Sequence, residues 1–163
     1  MDARITIHKR SRTLLLHVGE RLERTYPVAL GRNCAADKAV EGDEATPLGE
    51  FFVCAKNPRS RFFLSLCISY PNAAHADRGL RCGLIDAREH AQIIDALSAR
   101  RTPPQHTRLG GEIYIHGEVP GAAAPGAAAP GADTTRGCIA LANPQMRRLY
   151  DLAPLGTPVV IEP

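Results

Sequence analysis

The sequence predicts a β-rich α+β domain, and three observations predict it: a long period-two apolar pattern, two helical patterns, and a length that suits one core. Phe62, Leu64, Leu66, Ile68 and Tyr70 are large and apolar, with the small residues Ser65, Cys67 and Ser69 between them. Alternation of this kind puts the large side chains on one face of a strand and the small ones on the other. Asp86 to Arg101 reads as a helix, with Asp86 as N-cap, Glu89 three residues on, and Ile93, Ile94 and Leu97 at helical spacing. Pro103 and Pro104 end it. A second short helix follows Asn143, a capping residue, with Pro144 at its first position and Met146, Leu149 and Tyr150 on one side.

The remaining elements are strands. Ile5 and Ile7 alternate with polar neighbours, Leu14 to Val18 is a short apolar run, and Gly19-Glu20 turns the chain into Arg21 to Leu30. Near the C-terminus GTPVVIEP supplies a last strand in which Val159 and Ile161 alternate. At 163 residues the chain has the size of one domain, expected over residues 1–163. Hydrophobic residues at 44% and charged residues at 23% give a globular balance and exclude a disordered chain.

The formal charge of +3 comes from scattered arginines without a basic run, so nucleic acid is not an expected partner. No stretch reaches the ~18 apolar residues of a membrane span. The start, MDARITIHKRSRTLLLHV, does not read as a secretory signal. Five cysteines form an odd set with no CxxC pair, which fits neither a disulfide framework nor a zinc ribbon. His75, Cys82 and His90 are spaced unlike any common structural zinc site, so no metal is expected. His8, His17 and His106 have no partner visible in the sequence.

Between Ala132 and Gly121 lies GAAAPGAAAPGA, where a proline every five residues breaks a helical ladder and each glycine costs about 1 kcal/mol relative to alanine. It is expected to be a surface loop over residues 121–132, bridging His116 to Cys138 within one domain, because only about thirty residues follow it.

Cys138 and His116 carry the candidate chemistry. A cysteine attacks as thiolate, so it needs a base and donors for the oxyanion that forms. In TTRGCIAL, Gly137 permits a tight turn that aims the amides of Gly137 and Cys138 toward one developing charge. In IYIHG, His116 ends a short strand that Gly117 breaks, which presents an imidazole at a sheet edge. Cys34, Cys54, Cys67 and Cys82 lack comparable flanks and are read as structural. A thiol redox protein is poorly served, since no second cysteine is expected near Cys138 to resolve a disulfide.

The order TPLGEF at Thr46, ISYPN at Tyr70, IHG at His116, TxGC at Cys138 and GTPVVI at the end resembles the L,D-transpeptidase catalytic domain, the YkuD-like family, from Ile5 to Ile161. The resemblance implies a β-sandwich-like fold with two helices and acyl transfer on peptidoglycan stem peptides through a thioester, with no cofactor. Carried over by motif, Cys138 attacks the carbonyl of the third stem residue, typically diaminopimelate, and expels the terminal D-alanine. His116 serves as base, its other nitrogen donating to the carbonyl of Gly117. Thr135 takes the family's serine or threonine position, and Gly137 and Cys138 offer oxyanion donors. Tyr70 and Arg136 are candidates for substrate contact, Tyr70 with core packing as its alternative, while Arg59 and Arg61 are read first as solvated surface charge and second as partners for a stem carboxylate.

One position departs from the family pattern: the arginine two residues after the cysteine is Ala140 here. The GCIA form, with Asp133 and Asn143, is similar to a subgroup containing an amidase that releases a lipoprotein from peptidoglycan. Crosslinking, carboxypeptidase and amidase reactions therefore stand as alternatives, beside a non-catalytic peptidoglycan-binding module. The implied location is the periplasm or cell envelope, reached with a leader that has been removed, and the sequence names no oligomeric state.

Overall fold

A computed structural model of the chain describes residues 2–120 and 133–163. The expected 121–132 loop lies outside the described residues. In chain order the elements are β1 (Ala3–His8), β2 (Thr13–Val18), β3 (Arg21–Pro27), β4 (Leu30–Gly31), β5 (Gly49–Ser60), β6 (Phe63–Ile68), α1 (Ala73–Arg81), α2 (Ala87–Ser98), β7 (Tyr114–His116), β8 (Asp133–Thr135), β9 (Ile139–Ala140), α3 (Asn143–Leu152) and β10 (Pro158–Glu162).

Eight strands form one sheet in the order β3-β2-β1-β10-β5-β6-β7-β9. The N-terminal alternation works as read: Ile5 sits opposite Leu16 on one side and beside Val159 on the other, and Ile7 likewise between Leu14 and Ile161. All six are buried. After β3 the chain returns to the far edge, where Ala29 bridges Ala140 in both directions, at 3.0 and 2.9 Å. The sheet thus curls until its two ends meet across Ala29 and Ala140.

Burial on the concave side gathers Ile5, Leu16, Val53, Leu64, Leu66, Ile68, Ile115 and Ile139 under Met146 and Leu149 of α3. A second, smaller core joins Ala76 of α1, Ile93 of α2, Ile85 and Leu109. The capping box of α2 forms as predicted, Asp86 accepting from Glu89 N and the Glu89 carboxylate accepting from Asp86 N.

Two helical readings change. The fold has three described helices rather than two, because α1 went unread: its AAHADRGLR segment holds one large apolar residue, Leu80, and its start depends on Asn72, whose side-chain oxygen accepts from His75 N at 3.1 Å. Asn143 does not cap α3. The cap position is Ala142, and the Asn143 side chain instead accepts from Glu118 N at 2.7 Å, which fastens the chain just past His116.

Candidate active site

His116 and Cys138 meet because β7 and β9 run parallel as neighbours, Ile115 beside Ile139 and His116 beside Ala140. Cys138 precedes Ile139, so it lies alongside Tyr114, whose N–H approaches the sulfur at 3.5 Å. Residues two apart on a strand share a face. Cys138, Tyr114 and His116 therefore open onto one side, where a cleft of ≈ 390 Å³ is lined by all three. Its floor continues onto β6, where Ser65 pairs with His116 and Cys67 with Tyr114. The small-residue face of the alternating strand is thus what leaves the cleft open, while its large face fills the core.

Cys67 corrects one expectation, since a second cysteine does line the cleft with Cys138. Sequence separation concealed a neighbour across β7. Two strand spacings, about 10 Å in all, separate the two backbones, beyond the ~7 Å that a disulfide spans. Cys67 is a floor residue and not a resolving thiol.

Two contacts hold the imidazole. Its Nδ1 lies 2.6 Å from Gly117 O, and a carbonyl can only accept, so Nδ1 carries the proton and Nε2 is left as the basic atom. The Phe62 ring stacks on it at 4.5 Å between centroids, tilted by 30°. Burial lowers the proton affinity of His116, against a smaller opposing effect of the Gly117 bond, so the ring is neutral near pH 7. Glycine is required at 117: a Cβ there would stand 2.4 Å from Asn143 Oδ1 and 3.0 Å from Phe62 O. The bare backbone at Gly117 is what lets the β5–β6 hairpin tip close onto the histidine.

The sulfur is equally specified. Burial raises the Cys138 pKa, Tyr114 N–H opposes the rise, and Glu112 adds to it. The thiol donates to Glu112 O at 3.4 Å. Glu112 takes a left-handed backbone, φ 55°, which turns that carbonyl toward the sulfur. The pair is accordingly a neutral thiol beside a neutral imidazole near pH 7.

Thr135 ties the turn that carries the cysteine. Its hydroxyl donates to Cys138 O at 2.7 Å and accepts from Gly137 N at 3.1 Å. Gly137 sits at φ +125°, and a Cβ there would lie 2.8 Å from Ala45 O, so the turn needs glycine both for its dihedral and for the approach of the 32–48 loop. Of the two expected oxyanion donors, the Gly137 amide is thus engaged by Thr135. The Cys138 amide has no hydrogen-bond partner among the described residues.

Two other candidates lie elsewhere. Tyr70 is fully buried, its hydroxyl donating to Leu109 O at 2.7 Å and its ring packed against His75 at 4.9 Å. It supports the core under α1 and does not reach the cleft lining. Arg136 is exposed and outside that lining. Ala140 is fully buried and brings no charge. Arg61, read first as surface charge, and Phe62, read only as a member of the alternating strand, line the cleft from the hairpin tip. His75 bonds Asn72 and Asp37, and His90 bonds Asp77 at 2.7 Å. No helix among the described residues is long and apolar enough to cross a membrane.

Residues 2–161 match the L,D-transpeptidase catalytic domain family. Among solved structures, the helical cell shape determining protein Pgp2 from Campylobacter jejuni is similar at TM-score 0.65 and 21% identity, over 98% of this chain and 47% of that one. An L,D-transpeptidase from Mycobacterium smegmatis is similar at TM-score 0.58 and 15% identity, over 99% of this chain and 59% of that one. One from Xylanimonas cellulosilytica gives TM-score 0.52 and 19% identity, over 98% and 59%. These likenesses fix the fold, and the chain spans roughly half the length of these proteins. No curated protein matches the sequence.

Proposed function

The chain belongs to the L,D-transpeptidase catalytic domain family, and on that premise we propose that it transfers acyl groups on peptidoglycan stem peptides, with Cys138 as nucleophile and His116 as base. The observation that carries this reading is a thiol and an oriented imidazole on one face of one cleft, each held by a backbone carbonyl.

In the first half-reaction the thiol leaves Glu112 O and passes its proton to His116 Nε2 as sulfur bonds to the scissile carbonyl carbon. The Cys138 N–H, unengaged at rest, is the nearest donor for the oxyanion. Collapse breaks the C–N bond, and Nε2 returns the proton to the departing amine. A thioester remains on Cys138. An incoming amine then gives a crosslink, or water gives a shortened stem, with His116 again taking the proton. No step calls for a cofactor. The substrate places the work in the periplasm or cell envelope.

Intact-mass measurement after incubation with muropeptide or a carbapenem tests the reading. We expect an adduct localised to Cys138 that disappears entirely in Cys138→Ala; an unmodified wild-type protein with both reagents would refute it. Scoring the products as crosslinked dimer, trimmed peptide or released protein separates transpeptidase, carboxypeptidase and amidase outcomes.

A further inference from the structure

We propose that Cys54 and Cys67 are a modification site: an oxidising small disulfide converts them to a cross-strand disulfide between β5 and β6, which staples the base of the hairpin whose tip lies on His116. The bond depends on these two thiols alone. It goes beyond the acyl-transfer reading, whose chemistry uses neither sulfur.

A bulge brings the two residues together. Val53 pairs with Ile68 and Ala55 with Cys67, so two steps along β5 match one step along β6, and Cys54 is the extra residue. In a bulge two residues of one strand oppose a single residue of the other, which sets Cys54 as well as Ala55 against Cys67. Regular alternation would instead have sent Cys54 to the opposite face. Neighbouring strands lie about 4.8 Å apart, inside the roughly 4.4–6.8 Å between α-carbons that a disulfide spans. Cys54 Sγ lies 3.4 Å from Cys67 O. The two thiols also interact with each other, and that contact is the leading influence on the acidity of both.

The pair is also differentiated as thiol exchange requires. Contact with Cys67 holds the Cys54 thiol below its ordinary range, against burial, whereas contact with Cys54 and burial both push Cys67 up. Cys54 is partly exposed and Cys67 is buried. Cys54 is therefore the sulfur that meets the oxidant. Its thiolate, having given its proton to water, bonds to one sulfur of the small disulfide and expels the other half as a thiol. The Cys67 sulfur then loses its proton, bonds to Cys54 Sγ and displaces the second half. The protein gives up two protons and two electrons, and the small disulfide is reduced to two thiols.

The position of the bond gives it a consequence. Cys54 and Cys67 lie 13 residues apart and bracket the arms of the hairpin, whose tip sets the Phe62 ring 4.5 Å from the imidazole of His116. A covalent link at the base removes conformations from the opened hairpin and so favours the paired one. Cys138 takes no part, because it stands two strand spacings from Cys67 and one further from Cys54. The nucleophile thus remains a free thiol after the bond forms. Such a bond persists in an oxidising compartment, which is where the acyl-transfer reading puts the substrate.

The test equilibrates the folded chain with oxidised glutathione, blocks the remaining thiols with N-ethylmaleimide in denaturant, and maps all five cysteines by digestion and mass spectrometry. The expected product is a Cys54–Cys67 cross-link with Cys138 outside any intramolecular bond. Its melting temperature should exceed that of the dithiothreitol-treated protein by about 5–10 °C. Cys54→Ser and Cys67→Ala, each melted in reduced form to establish folding, should lose both the cross-link and the rise; the wild-type map decides the assignment even if a variant does not fold. Maleimide or glutathione on both Cys54 and Cys67, or a bond from Cys67 to Cys138, would overturn the site. A Cys54–Cys67 cross-link with no rise in melting temperature would overturn the staple.

Discussion

Two segments flank His116 and Cys138, and they use charge in opposite ways. Behind Cys138, the loop of residues 32–48 turns Asp37, Lys38 and Asp43 inward, while Arg32 and Glu41 stay exposed. Asp43 accepts from Ala39 N, Val40 N and Ala45 N and pairs with the buried Lys38 at 2.9 Å. Asp37 accepts from Leu48 N and Arg78, each at 2.8 Å, and from His75. Although burial pushes Asp37 up, these bonds hold its carboxyl well below the usual range. In front of His116, the hairpin tip of residues 57–63 has only local bonds, Arg59 N to Asn57 Oδ1 and Phe62 N to Ser60 Oγ. Its shape comes from the φ of Phe63 and the contact with Gly117, and its two cations, Arg59 and Arg61, face out. Charges satisfied within the fold brace the turn that carries Cys138, whereas the hairpin in front of His116 leaves its charge to solvent.

If that contrast holds, removing Asp43 should hurt stability most. Asp43→Ala strands the Lys38 ammonium, which is buried, and releases three backbone N–H groups. We expect a loss of about 3–5 kcal/mol in urea unfolding, with Cys138 alkylation altered because Ala45 O abuts Gly137. A loss below about 1 kcal/mol would mean the loop is held by packing instead.

Gly117→Ala probes the join between the hairpin and the base. The added Cβ meets Asn143 Oδ1 and Phe62 O, so one of them must shift, at an expected cost of about 1–3 kcal/mol in denaturant unfolding. Because both neighbours bear on His116, the thioester-forming rate should drop by a larger factor than the folding equilibrium implies. Wild-type rates on a variant that is merely less stable would show the tip to be independent of the histidine.

Much of this was legible in the residues, and what was missed has a common cause. Period-two patterns fixed β1, β6 and β10, and a capping box fixed α2, because those signals are local. The pairing of His116 with Cys138 came from motif order, which stands in for topology when no register can be read. Tyr70 was misplaced since an aromatic at a strand end looks alike whether it faces core or groove; only the acceptor Leu109 O, 39 residues on, decides it. Cys67 and Arg61 reach the cleft through neighbouring strands and a hairpin closure, which are non-local facts. The glycine at 117 was readable as a strand breaker but not as the seat of Phe62.

The smallest expected effect is also the most specific. Phe62 covers the imidazole, and burial is the leading reason that His116 binds its proton weakly. Its base form is needed for attack, so a pKa below the ordinary ~6.5 places the acid limb of the rate profile below that value. Phe62→Ala admits water to the ring, which favours the charged imidazolium, so the pKa rises and the limb moves to higher pH. Rates at pH 6 should therefore fall by a larger factor than rates at pH 8, with little change in melting temperature because the ring is only partly buried. A profile that drops uniformly at all pH values would say that Phe62 orients the imidazole or the substrate and does not tune the base, and the front wall of the cleft would then act through shape alone.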